Sequence, residues 1–119
     1  MRLEVIAESL ASGAVLVSLQ GELDLACAYT FDRELRRIEA GRPPCIVIDM
    51  RKLAFVDSSG LGRLLGARRR ARRDGRRLVI VRGSQAIQRL LAIAGIEESF
   101  EVVGDVPAEL GAPEPAPRD

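Results

Sequence analysis

The chain has 119 residues, of which 47% are apolar but only 3% are aromatic, so it can form one domain with an aliphatic core. Its net charge of +1 excludes a strong overall attraction to nucleic acids or membranes. Two cysteines make no disulfide framework, and no apolar run reaches the roughly 18 residues of a membrane span or resembles a secretion signal. We therefore expect a cytoplasmic protein with reduced thiols.

The first half of the chain predicts a hairpin followed by a helix. Residues 3–8 and 14–19 alternate like strands, with a Ser-Gly turn between them, and residues 21–24 break that pattern. From Leu25 the apolar spacing becomes helical, Asp24 is a suitable N-cap, and Gly41 ends the helix. The apolar positions that define this helix are Ala28, Phe31, Leu35 and Ile38.

The second half predicts alternating buried strands and helices. Residues 45–49 and 78–81 are short apolar runs that suit central strands, and 100–103 is a last strand. A helix is expected from about Ser59 to Arg73. A third helix starts at Ser84 and ends at Gly95. Its apolar face is predicted to contain Ile87, Leu90, Leu91 and Ile93.

This alternation predicts an α/β fold: a mixed, mostly parallel sheet with helices packed on it, in one domain over residues 1–104. Residues 104–119 contain four of the six prolines and four acids against one arginine. For residues 105–119 we expect a short helical turn near 106–110 and then a disordered acidic, proline-rich tail.

The most informative segment runs from Asp57 to Gly62, where a strand ends and a helix begins. Hydroxyls at the positive end of a helix can carry a phosphate without electrostatic penalty. The chain has no histidine to act as a base and no metal-ligand cluster, so the sequence predicts no catalytic group, metal or cofactor. Ser58 is thus interpreted as a modified residue. The alternatives are a plain helix cap at Ser58, or Ser59 as the acceptor.

Over roughly residues 3–104 the chain resembles the STAS domain of stand-alone bacterial anti-sigma factor antagonists, and three motifs in order carry the resemblance. They are residues 21–25, residues 47–62 with their Asp-Ser-Ser-Gly, and residues 78–96. The resemblance implies a STAS-like fold and a protein that is a kinase substrate and binding module, not an enzyme.

The resemblance also implies partners and site residues. The unphosphorylated antagonist would bind a serine-kinase anti-sigma factor of the GHKL type and free the sigma factor. Phosphorylation at Ser58 would inactivate it, and a protein phosphatase would restore it. The residues implied for partner binding are Asp24, Asp57, Ser58, Ser59, Gly60 and Gly62.

Several alternatives stay open at this stage. A STAS accessory subunit of a lipid or anion transport system is the rival function. Asp24 could serve as an N-cap, an interface residue or both, and Asp57 could order the turn or help to dock the kinase. Asp49 is expected to end its strand and to bond loop backbone.

Residues 63–77 hold eight arginines and one aspartate. A solvated helix face is the favoured interpretation of this basic run, with docking of an acidic partner second and nucleic acid third. Cys45 should lie in the core. Cys27 is expected to be a small buried residue, although a redox role is conceivable at a helix N-terminus.

Overall fold

Five strands form one mixed sheet in the computed structural model, which describes residues 2–115. The strand order is β1-β2-β3-β4-β5; β1 pairs antiparallel with β2, and the other three pairs are parallel. The elements are β1 (Glu4–Ser9), β2 (Val15–Leu23), α1 (Leu25–Ala40), β3 (Cys45–Val56), α2 (Ser58–Asp74), β4 (Arg77–Val81), α3 (Gln85–Ile93) and β5 (Glu101–Val103). The predicted α/β fold is confirmed.

The three helices connect successive parallel strands and pack on one face of the sheet. Parallel neighbours need such crossovers, and their right-handedness puts successive helices on the same side here. Residues from all three helices join the strands in the main core, among them Phe31, Leu35, Leu64, Ile87 and Leu91. The core is aliphatic apart from Phe31, as the composition predicted.

The opposite face of the sheet has a smaller core that includes Val47 and Val79. The segment after β5 covers it: a 3-10 turn at Ala108–Leu110 inserts Leu110, which is only 7% exposed. The backbone of residues 110–114 then bonds to the β1–β2 turn, for example from Glu114 N to Ser9 O at 2.8 Å. The helical turn is therefore found. Backbone hydrogen bonds hold residues 110–114 where they shield this apolar face, and the expectation of a disordered tail stays a prediction. Residues 116–119 lie outside the described part.

Two strands, β2 and β3, are longer than the sequence pattern predicted, and β3 continues from the predicted run 45–49 to Val56. Residues 21–23 continue β2 instead of breaking it, because two register irregularities, at Ser18/Gln20 and at Gly21/Glu22, keep the pairing with β3. Gly21 has a φ of +103°, and a Cβ there would lie 2.2 Å from the carbonyl oxygen of Arg2. This position requires glycine, so its presence marks an irregularity within the strand and not its end.

The helix boundaries agree with the sequence, but the exposure of some apolar residues does not. Ser84 caps α3, and Gly75, with a φ of 68°, follows α2 in the left-handed conformation. Leu90 and Ile93 are 37% and 80% exposed, so only Ile87 and Leu91 of the predicted face are buried. Because α3 has only nine residues, it directs only two apolar positions toward the sheet, and its buried face is smaller than predicted. None of the described helices is long and apolar enough to cross a membrane.

Candidate functional site at the carboxyl ends of β2 and β3

The candidate site lies where β2 and β3 end side by side. Leu23 pairs with Val56 as the last pair of the parallel register. The residue directly after each strand is an aspartate, Asp24 after β2 and Asp57 after β3, and each aspartate is the N-cap of the helix that follows it. Parallel pairing therefore brings the starts of the two helices together, and Leu25 N donates to Asp57 Oδ2 although these residues are 32 positions apart.

Asp57 connects the two helix starts. Its Oδ1 accepts a hydrogen bond of 3.0 Å from Gly60 N in its own helix, and its Oδ2 accepts one of 3.0 Å from Leu25 N in α1. Its backbone N donates to Leu23 O at 3.2 Å. Asp57 is thus the N-cap of α2, and the interpretation of Ser58 as the cap is wrong. Of the two roles left open for Asp57, ordering the turn is observed.

Asp24 is a plain N-cap by its contacts. Its Oδ1 accepts a hydrogen bond from Cys27 N at 3.2 Å, and its backbone is extended, as caps require. Cys27 itself is half-buried, not fully buried as expected.

Gly60 is the contact between α2 and the end of β2. A Cβ at this position would lie 2.5 Å from Leu23 O, 2.8 Å from Leu23 Cγ and 2.9 Å from Val56 Cγ2. Any other residue would push the helix away from the strand. Gly60 is therefore required by packing, whereas the Cβ of a residue at Gly62 would meet no atom within 4 Å. Packing therefore constrains Gly60 to glycine but does not constrain Gly62.

Ser58 is the first residue of α2 and is exposed, whereas Ser59 is half-buried. Of the N–H groups in the first turn, Gly60 N bonds to Asp57 Oδ1 and Leu61 N bonds to Asp57 O. Within residues 2–115, no hydrogen bond engages the Ser58 hydroxyl. The geometry presents an unengaged hydroxyl on the positive end of a 17-residue helix.

Comparison with known proteins identifies the family. The family model of the STAS domain matches residues 8–108, which is well over half of the chain. The chain belongs to the STAS domain family.

The curated relatives of this STAS domain include anti-sigma factor antagonists. It is 32% identical over 88 residues to the anti-sigma F factor antagonist of Paenibacillus polymyxa, covering 71% of this chain and 73% of that protein. It is 26% identical over 91 residues to the anti-sigma-F factor antagonist RsfB of Mycobacterium tuberculosis, covering 76% and 74%. The crystal structure of an anti-sigma factor antagonist from Mycobacterium paratuberculosis superposes with a TM-score of 0.77 at 24% identity, covering 88% of each chain. That similarity confirms the fold.

Exposed apolar side chains lie near the carboxyl ends of β2 and β3 in this STAS domain. Leu25, whose N–H bonds to Asp57, is 75% exposed; Tyr29, one helical turn later, is 66% exposed; and Phe55, two residues before Asp57, is 45% exposed. We call Leu25, Tyr29 and Phe55 the apolar rim. The sequence pattern did not predict it, because the helical apolar spacing starts at Leu25, whereas the buried face of α1 begins at Ala28. A clue was Tyr29, which lies off that face.

Asp49 lies inside β3 and not at its end, which corrects the sequence expectation. Its carboxylate accepts hydrogen bonds from the backbone and the guanidinium of Arg51, and Arg51 also pairs with Asp105. Burial would raise the pKa of Asp49, but the hydrogen bonds from Arg51 outweigh it and lower that pKa. Burial raises the pKa of the Cys45 thiol, which is in the core as predicted. These groups serve the sheet and lie outside the serine site.

The arginines of the basic run occupy different environments. Arg69, Arg72 and Arg73 are exposed, as a solvated face predicts. Arg70 and Arg76 are buried, which that interpretation did not foresee. Arg70 makes a bidentate pair with Glu39 of α1, at 2.7 Å and 3.1 Å, so part of the basic run holds α1 and α2 together.

Proposed function

We propose that this STAS domain is an anti-sigma factor antagonist whose unphosphorylated form binds a GHKL-type serine-kinase anti-sigma factor and thereby releases a sigma factor. The kinase inactivates it by phosphorylating Ser58, and a phosphatase restores it. The names of its relatives support the class of protein. The observation that carries the switch is that Asp57, and not Ser58, caps α2, which leaves the Ser58 hydroxyl exposed and unengaged.

The surroundings of Ser58 suit a phosphate in the free protein. Residues at the first two positions of a helix have N–H groups without intrahelical partners, and these N–H groups can solvate a phosphate. Phosphorylation therefore need not unfold the helix start. Because the hydroxyl is exposed, a kinase can reach it without opening the core.

The same surroundings make a phosphate unfavourable in a complex. The phosphate adds about −1.5 to −2 charges at pH 7 beside the carboxylates of Asp24 and Asp57. Burying an uncompensated dianion against a partner costs several kcal/mol, and every ~1.4 kcal/mol is tenfold in affinity. Local repulsion and desolvation are sufficient for release, without a change of fold.

The apolar rim offers the contact area for docking. Aromatic and aliphatic side chains that contact a partner at the centre of an interface usually dominate its affinity. Leu25 and Tyr29 lie in the first two turns of α1, and Phe55 lies two residues before Asp57 on β3. Phosphorylation would place a charge within this surface, so modification and docking would exclude each other.

The test is intact-mass spectrometry after incubation with ATP and candidate kinase anti-sigma factors. We expect one added phosphate on the wild type and on Ser59→Ala, and none on Ser58→Ala. Ser59→Ala is the matched control because it removes the neighbouring hydroxyl of the same helix turn. Phosphate on Ser58→Ala but not on Ser59→Ala would transfer the role to Ser59. Phosphate on no variant with any candidate would contradict the proposed switch.

Binding measurements test the docking surface separately. Leu25→Ser should weaken binding of the kinase anti-sigma factor at least tenfold, as loss of a central apolar contact does. Ile93→Ser is the control, because Ile93 is 80% exposed but ends α3 at the opposite edge of the sheet. Equal losses in the two variants would contradict the proposed surface. Capture of a transport complex by the wild type, with no kinase bound, would favour the rival transport-subunit function.

A further inference from the structure

A cavity of about 640 Å³ lies where β3 and β4 begin, at the end of the sheet opposite the serine site. It is bounded by the end of α1, the loop that leads into β3, and the end of α2. Because β3 is twelve residues long, the cavity is roughly 35–40 Å from the serine turn. We call it the basal cavity. The residues lining it that matter below are Glu39, Ala40, Arg42, Arg73, Asp74 and Arg76.

Arg76 is a buried cation of the basal cavity with an unused hydrogen-bond donor. Its side chain is only 4% exposed, and within the described residues no acceptor forms a hydrogen bond with its Nη2 atom. Two carboxylate oxygens lie in its neighbourhood, Asp74 Oδ2 at 3.5 Å and Glu39 Oε2 at 4.0 Å, without forming that bond. A buried donor without an acceptor costs free energy, which an acceptor bound in the cavity would recover.

The two carboxylates beside Arg76 are already bonded to other arginines. Glu39 accepts hydrogen bonds from Arg70 through both of its oxygens, at 2.7 Å and 3.1 Å. Asp74 accepts hydrogen bonds from Arg73 through both of its oxygens, at 3.0 Å and 3.4 Å. Each acid is therefore held by a neighbouring guanidinium, and neither supplies the missing acceptor for Arg76.

With these pairs included, the basal cavity has two positive charges in excess. The charged groups that line it or pair with its lining are the arginines Arg42, Arg70, Arg73 and Arg76 and the acids Glu39 and Asp74. Arg42 is exposed, and no carboxylate of residues 2–115 pairs with it. A ligand with two negative charges would neutralise the excess.

The surroundings of the basal cavity favour two separate carboxylates over a phosphate. Both α1 and α2 end here, and the carbonyl ends of helices disfavour concentrated negative charge. A phosphate group places about −1.5 to −2 charges at one point, whereas an acid with two carboxylates distributes two single charges along its length. No aromatic side chain of the described residues lines the cavity, so a nucleobase would find no stacking partner.

We propose that the basal cavity binds a small organic acid with two carboxylates, one bonded to Arg76 at the buried end and one to Arg42 at the exposed end. Guanidinium groups match carboxylates in a planar, bidentate fashion. The cavity has the volume of a small-molecule site, and Pro43 and Pro44 restrict the loop that bounds it, so little ordering is needed on binding. This binding is independent of the serine site and needs no kinase.

Calorimetric titration of the unmodified protein with malonate and with glutarate, at pH 7 and constant ionic strength, tests the proposal. We expect saturable binding of at least one of them, at least tenfold tighter than that of acetate, which has a single carboxylate. The neutral diamides malonamide and glutaramide should not bind, because they lack the charges. Absence of saturable binding of both acids would overturn the proposal. Equally tight binding of acetate, of the diamides or of orthophosphate would also overturn it.

Two matched variants locate the binding site. Arg42→Gln should weaken binding of the preferred acid roughly tenfold, because it removes one charge-assisted contact. Arg72→Gln removes the same charge from the last turn of α2, but Arg72 is exposed and does not line the cavity, so binding should stay within about twofold. Equal effects of Arg42→Gln and Arg72→Gln would show attraction to general surface charge and overturn the proposed site.

Two further variants test the buried end of the cavity. Arg76→Gln should abolish binding while the circular dichroism of the protein stays unchanged. Since Arg76 is buried and its replacement can unfold the chain, Ala40→Gln is the second variant. Ala40 is exposed and lines the cavity, so the longer side chain should obstruct the ligand and weaken binding without a change of charge. Undiminished binding by folded Arg76→Gln, or by Ala40→Gln, would overturn the proposal.

Discussion

The Oδ2 atom of Asp57 accepts a hydrogen bond from the backbone N of Leu25, the first residue of the preceding helix, at 3.0 Å. The same carboxylate caps its own helix through Gly60 N. One side chain therefore fixes the starts of α1 and α2 relative to each other. The position of the Ser58 hydroxyl depends on this arrangement, because Ser58 directly follows Asp57.

We predict that Asp57→Ala lowers the free energy of unfolding by about 1–2 kcal/mol, because it removes an N-cap and an acceptor for a second helix. Asp57→Asn keeps one acceptor oxygen and should lose less. Ser58→Ala should stay within about 0.5 kcal/mol of the wild type, because its side chain is exposed and unengaged. Urea unfolding of the three variants measures this. A loss at Ser58→Ala equal to that at Asp57→Ala would contradict the assignment of the cap.

The two glycines of the serine motif should respond in opposite directions to alanine. Gly60→Ala should destabilise the protein by roughly 2 kcal/mol or more, because its Cβ would lie 2.5 Å from Leu23 O. Gly62→Ala should stabilise it by about 0.5–1 kcal/mol, because the position is helical, exposed and open. Thermal unfolding of the pair distinguishes packing from backbone entropy. Destabilisation by both variants would show that Gly62 also has a close neighbour.

The buried pair of Arg70 and Glu39 should show strong coupling between α1 and α2. Arg70→Met should cost roughly 3 kcal/mol, because it leaves the buried carboxylate of Glu39 without its bidentate partner. Adding Glu39→Leu should recover part of that loss. A double-mutant cycle by chemical denaturation gives the coupling energy. Arg73→Met, which breaks only the exposed pair with Asp74, is the control and should have little effect; additive losses at Arg70 and Glu39 would refute the coupling.

The ion pair between Arg77 and Glu101 predicts a pH dependence. The hydrogen bonds from Arg77 lower the pKa of Glu101 below its ordinary value of 4.5, so the pair stabilises the folded state above that pH and loses its effect as pH falls through the lowered pKa. Because both groups are partly exposed, Glu101→Gln should cost under about 1 kcal/mol at pH 7. The cost should shrink in acid.

Unfolding of the wild type and of Glu101→Gln at pH 7 and at pH 3 measures how the cost of the substitution changes with pH. Glu98→Gln is the control for removing an exposed acid, because Glu98 makes no ion pair within residues 2–115. A cost of Glu101→Gln that is the same at both pH values would contradict the contribution of the pair.

The predictable parts of this fold are those that rest on local patterns. The apolar runs predicted β4 and the first five residues of β3, and the caps at Asp24 and Ser84 with the glycine stops predicted the helix limits. The buried position of Arg70 was not predictable, because its partner Glu39 is 31 residues away and no local rule pairs them. That Asp57 and not Ser58 caps α2 was not predictable for a similar reason. Both residue types are good N-caps, so the sequence alone does not show which of the two has this role.

The sequence pattern also did not predict that β2 continues through Gly21. The need for glycine there comes from the backbone of Arg2, a neighbour that enters only when β1 is in place. Likewise, the cover over the second face of the sheet comes from a proline-rich, acidic segment whose composition is typical of disorder. Its few apolar residues, above all Leu110, have a role only because they pack in the core of that face with Val47 and Val79.

The pairing of Leu23 with Val56 has a consequence for the folding of the chain. These residues are the last pair in the β2–β3 register, and a slip by one residue would turn the core side chains of a strand outward and separate the two aspartates. Such non-local pairs form only after a long loop has closed. A chain that has not finished folding therefore lacks the ordered serine turn, and a modifying enzyme that reads this surface would act on mature molecules and spare nascent ones.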